Sequence, residues 1–132
     1  ACREAVAAAL GAQPNELTFT SGGTEAINTA IFGAAFKNRH FGKHIITTAI
    51  EHAATKNAAA RLEAEGYEVT YLQPDAEGHI ALEDFAAALR EDTVLASVML
   101  VNNEVGTVLP VAEMGRLLSR KCPKALFHVD AP

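Results

Sequence analysis

The chain has 132 residues, 49% hydrophobic and 20% charged, which is typical of a folded α/β domain rather than a disordered chain. Its formal net charge of −5 argues against nucleic-acid binding, because phosphate backbones require a basic surface. Two cysteines, Cys2 and Cys122, are too few and too far apart for a disulfide framework or a metal site, so we expect free thiols in the reducing cytoplasm. No apolar run approaches the roughly 20 residues of a membrane span, so we expect no membrane partner.

Helical and strand patterns alternate along the whole chain. Apolar residues at helical spacing predict helices over residues 2–10, 23–36, 51–65, 82–89 and 110–121. Short apolar or β-branched runs predict strands over residues 16–20, 43–48, 68–72, 93–101 and 125–129. This alternation predicts an α/β fold with a mostly parallel sheet and helices on both faces. The chain opens inside a helical pattern and stops just after a strand, so we expect it to be part of a longer protein.

The stretch Thr18–Glu25 organises the chain, because a predicted strand there turns through two glycines into a helix. Glycine lets the backbone approach a ligand closely, and the free N–H groups of a first helical turn favour an anion. Ser21 and Thr24 add hydroxyl donors. The stretch therefore predicts a phosphate-binding loop.

Polar side chains follow four of the predicted strands, at the point where each strand ends. The clusters are Ser21–Thr24, Glu51 with His52, Asn102–Glu104, and Asp130. Because ligands bind at the carboxyl ends of strands in parallel sheets, we expect these four clusters to lie along one edge and to form one site.

This combination suits pyridoxal 5'-phosphate (PLP), a phosphorylated aromatic cofactor. Its phosphate needs amide N–H groups such as those near Gly23 and Thr24, and its pyridinium nitrogen needs a carboxylate such as Asp130 so that the ring can act as an electron sink. His52 could stack on the ring, and Asn103 could donate to the phenolic oxygen.

Each of these side chains also has a purely structural interpretation. Ser21 could be an ordinary helix N-cap, and His52 could cap the helix that starts around it. Asn102 and Asn103 could be turn formers. Asp130 could cap a following helix or form a surface ion pair. His128 would share the strand face of Asp130 and could support the site from behind or be a hydrogen-bonded core histidine, and we favour the second interpretation.

Five segments of the chain resemble the cysteine desulfurases of the class V aminotransferase family, in family order and with nearly family spacing. The segments are Phe19–Glu25, His44–Thr48 with Glu51 and His52, Gly66–Leu72, Asn102–Gly106 and His128–Ala131. The likeness covers essentially the whole chain and implies a PLP fold-type I large domain, of which residues 1–132 form a part.

The resemblance also implies roles and partners. Gly23 and Thr24 would bind the cofactor phosphate, and His52 would stack on the ring and take part in proton transfers. Asn103 would hydrogen-bond the phenolic oxygen, and Asp130 would pair with the pyridinium nitrogen. The family reaction converts L-cysteine to L-alanine and leaves an enzyme persulfide, which passes to a sulfur-acceptor protein for iron–sulfur cluster assembly or thio-modification. We also expect a homodimer.

The chain departs from the family in what it lacks. It has no counterpart of the cofactor-binding lysine, the sulfur-accepting cysteine, the N-terminal segment or the small domain, so we expect this part alone to be inactive. Family strands that separate Leu17–Thr20 from the last strand are also missing, which would leave that first strand without its usual partner. Two alternatives stay open: a selenocysteine lyase or another class V enzyme, and a non-catalytic α/β interaction module.

Overall fold

The computed structural model describes all 132 residues. The helices are α1 (Cys2–Leu10), α2 (Gly23–Asn38), α3 (Ala53–Ala64), α4 (Leu82–Ala88) and α5 (Val111–Lys121), and Pro14–Glu16 forms a 3₁₀ turn. The strands are β1 (His44–Thr48), β2 (Glu68–Leu72), β3 (Thr93–Met99) and β4 (Leu126–Asp130). All of them run parallel in one sheet of order β2-β1-β3-β4. None of the helices has both the length and the apolar character that a membrane-spanning helix needs.

Helices cover both faces of the sheet, as the sequence predicts. Adjacent residues of β1 point to opposite faces, and Ile45 and Ile46 accordingly belong to separate cores. The first core lies under α2 and α3 and includes Ile27, Ile31, Leu62 and Leu95. The second core lies under α4 and α5 and includes Phe85, Val98, Met114 and Leu118. β3 is buried along its whole length, because it lies between β1 and β4 and beneath helices on both sides.

The strand predicted over residues 16–20 does not form. Glu16 ends the 3₁₀ turn, and Leu17–Thr20 has no strand partner although Leu17 itself has extended dihedral angles. This segment lies instead against α1, where the Arg3 guanidinium donates to the Leu17 carbonyl and lies 5.0 Å from the Phe19 ring centroid. The prediction was wrong because a strand exists only when a neighbour pairs with it, and the sheet ends at β2 and β4.

Other boundaries shift by one to two residues. α3 begins at Ala53 rather than Glu51, and α4 ends at Ala88, where Leu89 turns to an extended conformation. β3 ends at Met99, and Val101 forms an isolated antiparallel bridge with Val108 instead of extending the strand. The predicted loop over residues 102–106 is therefore the tip of a narrow hairpin-like turn.

Gly42 marks a close crossing of two backbones and gives a test of the fold. A Cβ placed there would lie 2.2 Å from the Asp92 carbonyl oxygen, a backbone atom that cannot move aside alone. We expect Gly42→Ala to lower the free energy of unfolding by about 1–3 kcal/mol. Gly33→Ala is the matched control: a Cβ in that part of α2 meets nothing within 4 Å, so it should raise stability by up to about 1 kcal/mol. Urea denaturation measures the change in the free energy of unfolding for both variants. Equal changes would contradict the close approach of the two backbones at Gly42.

Candidate functional site

Four of the five predicted site residues meet in one cleft at the carboxyl edge of the sheet. The cleft has a volume of about 300 Å³ and is lined by Gly23, Thr24, Ile27, His52, Asp130 and Pro132. It lies between the start of α2, the turn that follows β1, and the last residue of β4. The parallel topology brings these residues together from positions more than a hundred residues apart in sequence.

The start of α2 presents unpaired amides to this cleft. Gly22 is the N-cap residue and has no side chain, and the first backbone bond of the helix comes from Ala26 N–H to the Gly22 carbonyl. The N–H groups of residues 23–25 therefore have no acceptor in the protein. A Cβ at Gly23 would meet nothing within 4 Å, so the missing side chain serves no internal packing and leaves the amides open.

Ser21 does not cap α2 through its hydroxyl. Its amide donates to Glu25 Oε2 at 2.8 Å, and its hydroxyl donates to the same oxygen. These two bonds lower the pKa of Glu25. The Glu25 carboxylate is thus bonded to Ser21. The Thr24 hydroxyl forms no hydrogen bond within the protein, so it is the free hydroxyl that lines the cleft.

His52 caps a helix and also lies at the cleft. It is the N-cap residue of α3, where its Nδ1 accepts a hydrogen bond from the Ala54 amide at 3.1 Å, and it also lines the cleft. An acceptor at Nδ1 assigns the proton of the neutral ring to Nε2. The cap therefore fixes the orientation of the ring and leaves an exposed N–H donor at Nε2.

Asp130 ends β4 with a half-buried carboxylate that forms no ion pair and accepts no hydrogen bond from the protein. Its backbone is fixed, because its carbonyl accepts from Leu100 N–H at 2.9 Å and it is in register with Met99. Two residues earlier, His128 Nδ1 lies 2.8 Å from Ser97 Oγ, and burial lowers the pKa of this histidine. His128 is thus the hydrogen-bonded histidine that the sequence predicts.

The two asparagines after β3 have different positions. Asn102 is buried and holds the loop: its Oδ1 accepts from the amides of Glu104 and Val105 at 2.9 Å each, and its Nδ2 donates to the Ile50 carbonyl at 3.1 Å. Asn103 is exposed, has no hydrogen bond and does not line the cleft. The turn-former interpretation is therefore right for Asn102. Asn103 lies in the same turn, and the structure does not bring it into the cleft with the other four predicted site residues.

Sequence reasoning missed the role of Glu51, a buried acid that is 3% exposed. Its Oε1 accepts from the Thr48 hydroxyl at 2.6 Å and from the Met99 amide at 3.0 Å, whereas its Oε2 has no partner in the protein. Burial raises the pKa of Glu51 to about 7, against the effect of these two bonds, and the Asp130 carboxylate adds to the rise. A larger cleft of about 510 Å³ is lined in part by Glu51, Asn102 and Glu104. These members of the predicted clusters therefore lie at a different cleft from Gly23, Thr24, His52 and Asp130.

The raised pKa of Glu51 predicts a pH-dependent stability. Between pH 4.5 and about 7 the carboxyl keeps its proton in the folded chain but loses it in the unfolded chain, so the unfolded state binds fewer protons. The free energy of unfolding should therefore fall as the pH rises through this interval, by at most about 3 kcal/mol. Urea midpoints measured at pH 5 and pH 8 should differ less in Glu51→Gln than in the wild type. An equal difference in the two proteins would contradict the assignment.

The cleft residues fit PLP in their chemistry. Unpaired amides at the start of α2 suit a phosphate group, since a helix N-terminus carries partial positive charge. An unpaired carboxylate at Asp130 suits a protonated ring nitrogen, and the planar, oriented ring of His52 suits an aromatic face.

Comparisons with known proteins match the whole chain. The sequence model of the class V aminotransferase family matches residues 1–132. The protein named cysteine desulfurase IscS from Clostridium botulinum is 50% identical over 129 residues, which are 98% of this chain and 32% of that protein. The putative cysteine desulfurase IscS 1 of Bacillus subtilis is 49% identical over 129 residues, 98% of this chain and 34% of its own length.

Solved structures agree with the sequence comparisons. A NifS-like protein superimposes with a TM-score of 0.93 and 41% identity, over 98% of this chain and 35% of its own. DndA from Streptomyces lividans has a TM-score of 0.90 and 44% identity, over 98% of this chain and 36% of its own. The chain spans about a third of the length of the curated relatives it matches. With its full length covered by the family's sequence pattern, the chain belongs to the class V aminotransferase family.

Proposed function

We propose that the full-length protein containing this chain is a PLP-dependent cysteine desulfurase, which converts L-cysteine to L-alanine and an enzyme persulfide. The observation that carries the proposal is the cleft itself, where a helix N-terminus with unpaired amides, a capped histidine and an unpaired carboxylate meet. The names of relatives about 50% identical support the choice of reaction. Residues 1–132 would form part of the PLP-binding large domain.

When bound, PLP would supply an electron sink for the carbon that carries the amino group of the substrate. The amides at Gly23 and Thr24, with the Thr24 hydroxyl, would bind the phosphate. Asp130 would hold a proton on the ring nitrogen, which is what makes the ring electron-poor. Asn103, whose exposed side chain makes no hydrogen bond within the chain, would donate to the phenolic oxygen.

His52 would stack on the ring and donate from Nε2. Because the Ala54 amide occupies Nδ1, the neutral ring has no free lone pair in this conformation. His52 could therefore accept a proton only when this cap bond opens. The cap thus limits the part of His52 in proton transfers.

The partners follow from the same proposal: L-cysteine as substrate, a sulfur-acceptor protein and a second copy of the chain in a homodimer, in the cytoplasm. One similar structure, 41% identical with a TM-score of 0.88, is described as SspA in complex with cysteine, which favours a cysteine site in this group of proteins. A selenocysteine lyase would use the same cleft residues, so substrate competition must separate the two activities.

The experiment is to purify the full-length protein, record its absorption spectrum, and measure release of alanine and sulfide from L-cysteine with a reductant. We expect a yellow protein that releases both products, and a preference for cysteine when selenocysteine competes. A colourless protein that takes up no PLP would contradict the proposal. A strong preference for selenocysteine would assign the alternative activity.

A further inference from the structure

The end of β3 lacks a backbone partner on the side of β1. Pairing between the two strands reaches only from His44 with Thr93 to Ile46 with Ala96, whereas β3 continues to Met99. Leu100 N–H points to β4, where it donates to Asp130, so Met99 N–H points to the β1 side. Glu51 Oε1 accepts from this amide at 3.0 Å and so takes the place of a missing backbone carbonyl.

One carboxyl oxygen therefore links the two sides of the cleft. Glu51 directly precedes His52, the N-cap of α3, and its oxygen also accepts from Thr48, the last residue of β1. Met99, at the other end of the link, is in register with Asp130 on β4. The side chain is 3% exposed and does not line the cleft, so it acts on the site only through these bonds.

We propose that Glu51 is a positioning residue of the cofactor cleft, which holds His52 at its working position relative to Asp130 by bonding the β1–α3 turn to Met99. This inference rests on the proposed function. Asn102 also contacts both sides, since its Nδ2 donates to the Ile50 carbonyl at 3.1 Å and lies 3.4 Å from the Met99 sulfur. It does not pair with the Met99 amide, so the backbone link from the turn to β3 depends on Glu51.

Two substitutions of similar size separate the hydrogen bonds of Glu51 from its bulk. Glu51→Gln keeps a carbonyl oxygen that accepts from Thr48 and Met99. Glu51→Met keeps the volume but has no comparable acceptor, so both donors stay unpaired.

Asn38→Ala is the control for a general loss of stability. Asn38 is also buried, and its Nδ2 donates to the Val94 and Lys124 carbonyls at 3.3 and 2.8 Å, at the opposite edge of the sheet.

The test uses the full-length protein and measures the dissociation constant of PLP from the apoprotein, the visible circular dichroism of the bound cofactor, and the thermal midpoint. We expect Glu51→Met to weaken PLP binding about 10–100-fold, the size of the loss when a partner that orients a metal ligand is removed. The circular dichroism band of the bound cofactor should also change. Glu51→Gln should restore both, and Asn38→Ala should lower the midpoint while leaving affinity and spectrum unchanged.

The inference is overturned if Glu51→Met binds PLP with wild-type affinity and spectrum, or if Asn38→Ala alters them as much as Glu51→Met does. If Glu51→Met does not fold, Glu51→Gln still decides, since loss of the wild-type spectrum in that variant would also overturn it. Failure of the proposed function gives a different result, because the wild-type protein itself would then take up no PLP.

Discussion

Replacing Asp130 with Asn in the full-length protein is expected to lower kcat/KM for L-cysteine by about 100-fold, equivalent to about 3 kcal/mol. The carboxylate has no partner within this chain, so its charge is available to a protonated ring nitrogen in the cleft. An amide of the same shape cannot balance that positive charge. Because the substitution preserves volume and breaks no hydrogen bond of the side chain, the free energy of unfolding should change little.

The matched control for this prediction is Asp84→Asn. Asp84 is an exposed carboxylate in the first turn of α4, away from the cleft, and it forms no ion pair. This control should keep wild-type kcat/KM, since removing one surface charge there touches no site residue. Equal activity of the Asp130 and Asp84 variants would show that Asp130 has no role at the ring nitrogen.

Two substitutions at His52 should separate its capping role from its role in the cleft. His52→Ala removes both the Nδ1 acceptor and the ring, so we expect about 1 kcal/mol less stability and about 100-fold lower kcat. His52→Asn keeps a side-chain oxygen that can accept from the Ala54 amide, so stability should return while activity stays low.

Thermal unfolding and alanine release, measured on the same two preparations, check this prediction. A His52→Asn variant with wild-type stability and low kcat would show that activity requires the imidazole ring. Wild-type activity in the asparagine variant would reduce His52 to a helix cap, which is the structural interpretation that its sequence position also allows.

Most of this site can be predicted from the sequence, because its position follows from the topology of a parallel sheet. A parallel sheet brings the carboxyl ends of its strands to one edge, so the sequence predicts that His52 and Asp130 lie together, and both line the cleft. The helix start at Gly23 follows equally from local signals, since glycines and a hydroxyl residue precede a regular apolar pattern.

Leu17–Thr20 shows where local reasoning fails. Its β-branched and apolar residues favour an extended backbone, and Leu17 is extended in the structure. Pairing, however, depends on residues far away in sequence, and no strand of this chain lies beside it. The family resemblance supplies the missing information, because it implies that further strands separate this segment from β4.

The sequence places Glu51 and Asn102 among the polar clusters but does not predict their hydrogen bonds, for a related reason. Their importance comes from hydrogen bonds to distant segments, to Met99 and Ile50 respectively, and sequence spacing does not report such bonds. One signal was available for Glu51. An acid in the turn just beyond a buried strand is exposed to little water, so its oxygens must find hydrogen-bond donors in the protein.

A crystal structure of the full-length protein with bound PLP would test most directly the central claim that this chain holds the cofactor. We expect phosphate oxygens within about 3 Å of the amides at Gly23 and Thr24, the ring face on His52, and the ring nitrogen hydrogen-bonded to Asp130. A phosphate held by another loop, with Asp130 turned away from the ring, would contradict the account.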